Sequence, residues 1–107
     1  MRLFIFVMLI LNVAVACQNN GSDDQPISGI ELYKIRCITC HGMDGAMGNN
    51  GAKNLIVSEM PLNDRIKIIR NGKGGVMPAF KNLLTQEEIM AVARYSMQFN
   101  PALKSTQ

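Results

Sequence analysis

The 107-residue chain has no tryptophan, a single histidine and only three cysteines. One histidine rules out any site built on two imidazoles from this chain, and it leaves no second imidazole for distal acid–base chemistry. A structural zinc site needs four ligands; beyond Cys37, Cys40 and His41 no second His or Cys cluster remains to supply them. Basic residues do not run together: 11 Lys and Arg against 8 Asp and Glu give a net charge of +3 spread along the chain. That pattern lacks the footprint of a nucleic-acid binder, so nucleic acid is not expected as a partner. Nor is there an apolar run of the ~20 residues needed to cross the hydrocarbon core. Convincing strand alternation and internal repeats are missing as well, which leaves an all-α class.

What is present begins with a leader. Met1-Arg2 carries positive charge, Leu3 to Val13 is almost entirely apolar, and Ala14-Val15-Ala16 supplies small residues. This order reads as a secretory signal peptide over residues 1–16, with a retained anchor helix as the lesser alternative. Cys17 follows directly, and the junction resembles a bacterial lipobox, in which the cysteine is lipidated and becomes the mature N-terminus; ordinary cleavage nearby is the other reading. Residues 17–28, rich in Asn, Gly, Ser and Asp, read as a linker with a reach of ~18 Å. Each buried CH₂ of an acyl chain contributes ~0.8 kcal/mol. The expected address is therefore the bacterial periplasm, anchored to a membrane by lipid.

The folded domain is expected over residues 29–101, with a short tail at 102–107. So small a chain buries little of its surface and usually needs a staple. Ile30, Tyr33 and Cys37 recur at helical steps, with Gly29, Tyr33 and Cys37 on one side. Gly42 to Ala52, with four glycines, is loop. A short amphipathic helix starts after Pro61, uses Leu62, Ile66 and Ile69, and stops at Asn71-Gly72. Thr85-Gln86-Glu87-Glu88 is a capping box that opens the last helix. That helix would bury Ile89, Val92, Ala93, Ser96 and Met97 and end at Asn100-Pro101.

Cys37, Cys40 and His41 stand at i, i+3 and i+4 of the first predicted helix, so all three share one face. Two thiols and an imidazole then point toward one flat object. Cys-x-x-Cys-His is the attachment signature of a c-type haem, with the thiols as thioether donors and His41 as iron ligand. A thioredoxin-like pair would need a βαβ context that this chain lacks. A plain disulfide explains neither His41 nor the glycine-rich loops.

With no second histidine, a soft thioether is the natural sixth ligand, and His/Met ligation raises the reduction potential. Met43 and Met47 lie too near His41 in sequence to reach the opposite face easily, and Met90 and Met97 read as core filler on the last helix. Met60 remains a second candidate, and an open sixth position a third. Met77 is favoured because Gly74-Gly75-Val76-Met77-Pro78 pairs two residues that permit close backbone approach with one that holds the loop extended.

From Ser28 to about Asn100 the chain resembles a class I cytochrome c of the small bacterial type. Gly29 and Tyr33 ahead of the motif, Tyr95 of the last helix packing across that Gly, and Ile69-Arg70-Asn71-Gly72-Lys73 followed by Met77-Pro78-Ala79-Phe80 carry the likeness. The resemblance implies a small cytochrome c fold, with three main helices and glycine-rich loops wrapped around one covalent haem c. It also implies one-electron transfer rather than catalysis. Gly51-Ala52-Lys53-Asn54-Leu55 is similar to the segment whose proline carbonyl accepts from the ligating histidine; Lys53 stands where that Pro is expected. Pro78 would line the cofactor, and donor and acceptor redox proteins, expected at a membrane, would approach near Ile38, Ala52 and Pro78. A haem enzyme or sensor with an open site and a thiol–disulfide oxidoreductase are the competing functions.

Overall fold

The computed structural model describes residues 25–106. The expected signal peptide, most of the linker and the candidate lipidation residue Cys17 lie outside them. The described chain holds four α-helices: α1 Gly29–Arg36, α2 Ile38–His41, α3 Leu62–Asn71 and α4 Gln86–Met97. Short 3₁₀ turns occur at Asn49–Gly51 and Lys104–Thr106. Extended pairing among the described residues is limited to one bridge between Lys73 and Met77.

The single helix expected around the motif is two segments. The break falls at Cys37, whose φ of −112° departs from helical geometry. Its amide still donates to the Tyr33 carbonyl, and its carbonyl still accepts from the His41 amide, each at 2.9 Å. The interruption is therefore local, and it falls where β-branched Ile35, Ile38 and Thr39 lower helix propensity. Ser28, read as linker, is the N-cap of α1: its hydroxyl accepts from the Glu31 amide while the Glu31 carboxylate accepts from the Ser28 amide. Ile30 is exposed and Leu32 is buried, so the inward face of α1 is set by Gly29, Leu32 and Tyr33 rather than by Ile30.

Helix α3 has the bounds that Pro61 and Asn71-Gly72 imply. Helix α4 opens on the expected capping box, with Glu88 N–H donating to Thr85 Oγ1 at 3.2 Å and Thr85 N–H to Glu88 Oε2 at 2.9 Å. All five residues of its expected inward face are buried, whereas Met90 is on the outer side. The helix ends at Met97, not at Asn100-Pro101.

Helices α1 and α4 cross where Gly29 meets the other chain segment. A Cβ on Gly29 would lie 2.3 Å from the Ala91 carbonyl oxygen and 3.1 Å from Tyr95 Cβ. Only glycine lets the two backbones approach so closely. Beside the crossing Tyr33, Tyr95 and Phe99 form a triangle with ring centroids 4.9 to 5.6 Å apart, the spacing of favourable aromatic pairs. Leu32, Tyr33, Leu55, Ile69, Phe80, Ile89, Val92 and Ala93 form the core, and Cys37 and Met77 pack half-buried against it. The core thus has candidate ligand residues on its margin.

Candidate cofactor site

The Cys37–His41 motif is held at its far end. Buried Tyr33 donates its hydroxyl to the Gly42 carbonyl at 2.7 Å, fixing the end of α2 one residue past His41. Burial pushes that phenol's pKa far above its ordinary value, with smaller contributions from Cys37, Tyr95 and Asp44, so it remains a donor. Cys37, the N-cap of α2, and Cys40 within it are both free thiols and half-buried. Burial, then the neighbouring Cys40, raises the Cys37 thiol to about 11.

His41 Nδ1 lies 3.0 Å from the Lys53 carbonyl oxygen. A carbonyl only accepts, so Nδ1 carries the proton and Nε2 carries the lone pair. Burial lowers the His41 pKa, the Lys53 carbonyl opposes that shift, and the charge of Arg65 adds to it. A neutral imidazole with a free Nε2 is the form that ligates a metal.

Met77 is placed by a tight reversal. Lys73 N–H donates to the Met77 carbonyl at 2.9 Å, and Met77 N–H donates back at 3.0 Å. Beyond Pro78 the chain returns to α3: Phe80 N–H reaches the Ile69 carbonyl at 3.0 Å and Lys81 N–H the Arg70 carbonyl at 3.1 Å. Those are among the terminal carbonyls that a helix leaves without internal partners. Gly72 sits inside this reversal with φ 72° and ψ −178°, a region open essentially to glycine alone. A Cβ there would lie 2.5 Å from the Met77 carbonyl oxygen and 2.8 Å from the Ala79 nitrogen.

The two segments that carry the candidate ligands come together: a Cβ on Gly51 would lie 3.6 Å from Val76 Cγ1, so the loop after His41 touches the loop of Met77. Lys53 and Pro78 are exposed on these loops, as are apolar Ile56, Val57 and Val76. Met60 is half-buried at the foot of α3, with its carbonyl accepting from Arg65 Nε at 2.9 Å. Met43 and Met47 are exposed. Two free thiols, an imidazole with its Nε2 lone pair available and apolar surface on adjoining loops fit a covalent haem.

Sequence reasoning missed Arg65. It is only 4% exposed, and its guanidinium donates to the carbonyls of Met60, Ser58 and Ser96 and to the Ser96 hydroxyl. The signal was available: Arg65 stands between Leu62 and Ile66-Ile69 within the apolar stripe of α3. Asn100, also missed, is buried and donates to the Ser58 carbonyl at 3.1 Å.

Comparison with known proteins gives concordant likenesses. The family model described as cytochrome c oxidase, cbb3-type, subunit III matches residues 24–95. Cytochrome c6 of Leptolyngbya boryana is 34% identical over 74 residues, covering 64% of this chain and 85% of that protein. The cbb3-type cytochrome c oxidase subunit FixP of Azorhizobium caulinodans is 38% identical over 73 residues, covering 63% of this chain. FixP of a Bradyrhizobium species is 38% identical over 77 residues, and in both cases the chain spans 25% of the FixP length. Among solved structures, the KustC0563 c-type cytochrome superposes with a TM-score of 0.63 at 32% identity, covering 69% of this chain and 99% of that one.

Proposed function

Because the chain belongs to the c-type cytochromes, within the family of cbb3-type cytochrome c oxidase subunit III, we propose that it is a one-electron carrier with His41 and Met77 as axial ligands. Membership in the family carries covalent haem c and haem-based electron transfer with it. The observation that most supports His41 as ligand is its Nδ1 contact with the Lys53 carbonyl, which leaves Nε2 available. When bound, haem supplies iron that cycles between ferric and ferrous states.

The chain's own residues do the rest. Cys37 and Cys40 are the thioether donors. Tyr33 and the Lys53 carbonyl fix the imidazole in one orientation. The Lys73–Met77 reversal presents a thioether from the adjoining loop. Ligands held this way do not rearrange between oxidation states, which keeps reorganisation small. A thiol–disulfide function is disfavoured by Cys37, since a reactive thiol needs a lowered pKa and burial raises this one to about 11.

Partners are proposed as a donor and an acceptor redox protein that approach the exposed loop edge near Ile38, Ala52 and Pro78. The likeness to FixP supports a membrane-associated acceptor. Residues 1–16 are proposed as signal peptide and Cys17 as the lipidated residue, placing the domain in the periplasm on a membrane. Expression of Cys17→Ser should release the protein from the membrane fraction; continued membrane fractionation would remove the lipid anchor from this account.

The central test uses protein made with haem-maturation machinery. Wild type should retain haem under denaturing electrophoresis and show the iron–sulfur charge-transfer band in the ferric spectrum. Met77→Ala should keep the covalent haem, lose that band and lower the potential, within the ~0.8 V range that axial ligation commands. A band unchanged in Met77→Ala would transfer the role to Met60 or another methionine. Wild-type protein without covalent haem would overturn the carrier reading itself.

A further inference from the structure

The position that most often rigidifies the loop behind a haem-ligating histidine is a lysine here, yet the Lys53 carbonyl stands 3.0 Å from His41 Nδ1. Something other than a pyrrolidine ring must hold the backbone there. Downstream of Lys53 the chain runs without helix or strand to Pro61, and its side chains Ile56 and Val57 are exposed. Leu55 alone packs into the core, and the backbone beyond it has no helix or sheet to fix it.

What fixes it comes from underneath. The Ser58 carbonyl accepts two buried donors, Arg65 Nη2 at 2.8 Å and Asn100 Nδ2 at 3.1 Å, and the Met60 carbonyl accepts Arg65 Nε at 2.9 Å. The remaining guanidinium arm donates to the Ser96 carbonyl at 3.3 Å and hydroxyl at 3.1 Å, tying the assembly to α4. On the other side Leu55 N–H donates to the Gly45 carbonyl at 2.8 Å. The segment is thus clamped just after Lys53 at Leu55, and again at Ser58 and Met60.

None of Arg65's acceptors is a carboxylate. Burying a guanidinium against neutral carbonyls sacrifices hydration without an ionic partner, and burial lowers its pKa accordingly. A leucine in this stripe would serve packing alone. The arginine is better explained by what its rigid five-donor fork can do, which is to bind several backbone carbonyls at fixed angles.

We infer that Arg65, assisted by Asn100, is a positioning residue: it holds the 54–60 loop so that the Lys53 carbonyl stays on His41, supplying by hydrogen bonds the rigidity that a proline at 53 would supply by its ring. The inference rests on the reading of His41 as the iron ligand. A hydrogen bond to the far nitrogen of a metal-bound imidazole fixes the ring and raises ligand basicity. Arg65 therefore acts on the iron through the loop and His41, not by contact.

The local backbone allows a reciprocal test. Ala52 has φ −59° and ψ 136°, the conformation required before proline, and the Lys53 amide takes part in none of the backbone hydrogen bonds among the described residues. Lys53→Pro should therefore be accommodated. The experiment compares holoprotein of wild type, Arg65→Lys, Asn100→Ala, Lys53→Pro and the two double variants that combine Lys53→Pro with each of the others. Readouts are the midpoint potential and the exchange rate of the His41 Nδ1 proton by NMR.

Arg65→Lys keeps the charge but loses the fork. It should speed that exchange about tenfold, the equivalent of one net hydrogen bond, and raise the potential as the imidazole becomes a weaker donor. Asn100→Ala should act in the same direction to a smaller extent, and it carries the test if Arg65→Lys does not fold. Adding Lys53→Pro should restore exchange and potential toward wild type. Variants that lose thermal stability while exchange and potential stay at wild-type values would overturn the inference and leave Arg65 a structural residue. Failure of wild type to bind haem through His41 would show in its own spectrum, before any variant is compared.

Discussion

Gly29→Ala should destabilise the holoprotein by about 3 kcal/mol, the upper end of the usual range for overpacking. Two effects oppose each other. Alanine is the better helix former by up to ~1 kcal/mol in a helix interior, and less at the first residue of α1. Against that, the added Cβ would sit 2.3 Å from the Ala91 carbonyl oxygen, a backbone atom that no rotamer change can move. Helices α1 and α4 must separate, and the neighbouring aromatic triangle and Leu32 lose packing with them. Guanidinium unfolding of the holoprotein measures the outcome; a midpoint equal to or above wild type would mean that the crossing is not the tight joint described.

The second large effect is expected at Gly72→Ala, and it should appear at the iron as well as in stability. The backbone conformation there costs a non-glycine residue about 1–3 kcal/mol. The new Cβ would also meet the Met77 carbonyl oxygen at 2.5 Å, the Ala79 nitrogen at 2.8 Å and the Pro78 carbonyl carbon at 2.9 Å. All three are backbone, so the reversal that carries Met77 must shift as a unit. The ferric protein should lose much of its iron–sulfur band although Met77 is unaltered, with covalent haem retained. A full-strength band in Gly72→Ala would show that the loop moves without carrying its methionine.

These two glycines illustrate what was legible and what was not. The bounds of α3 could be read because Pro61 and Asn71-Gly72 punctuate it, and the start and inward face of α4, though not its end, because Thr85 and Glu88 close a capping box before a clean apolar stripe. The close pass of Tyr95 over Gly29 was available only from family resemblance, since no local pattern encodes a partner 66 residues away. The sequence suggested Gly74 and Gly75 as the residues that matter near Met77. In the structure a Cβ on either would meet nothing within 4 Å, and the steric demand falls on Gly72 instead. Composition marks a loop as glycine-rich but does not say which glycine is pinched.

The site shows the same division. Cys37, Cys40 and His41 are local in sequence and were legible as a unit. The kink at Cys37 was not, because helical spacing alone does not register one distorted residue. The anchoring of the loop behind His41 was missed for a different reason: Arg65 and, 42 residues from Ser58, Asn100 reach that loop through hydrogen bonds to its backbone carbonyls, which no side-chain pattern records. Asn100, read as a helix terminator, has its main role inside the fold, donating to Ser58 and accepting from the Ala102 amide at 2.9 Å.

The triangle of Tyr33, Tyr95 and Phe99 has an optical consequence. The chain has two tyrosines and no tryptophan, and both tyrosines sit in that triangle with ring centroids 5.3 Å apart. Its ultraviolet fluorescence above the phenylalanine range therefore originates at one spot, the crossing of α1 and α4. If Cys37 and Cys40 hold the haem as proposed, energy transfer to the porphyrin would quench both tyrosines while the helices stay together. Tyr33, four residues from Cys37, would stay beside a haem held there even when the crossing opens, so a rise in emission would report Tyr95 leaving this one joint.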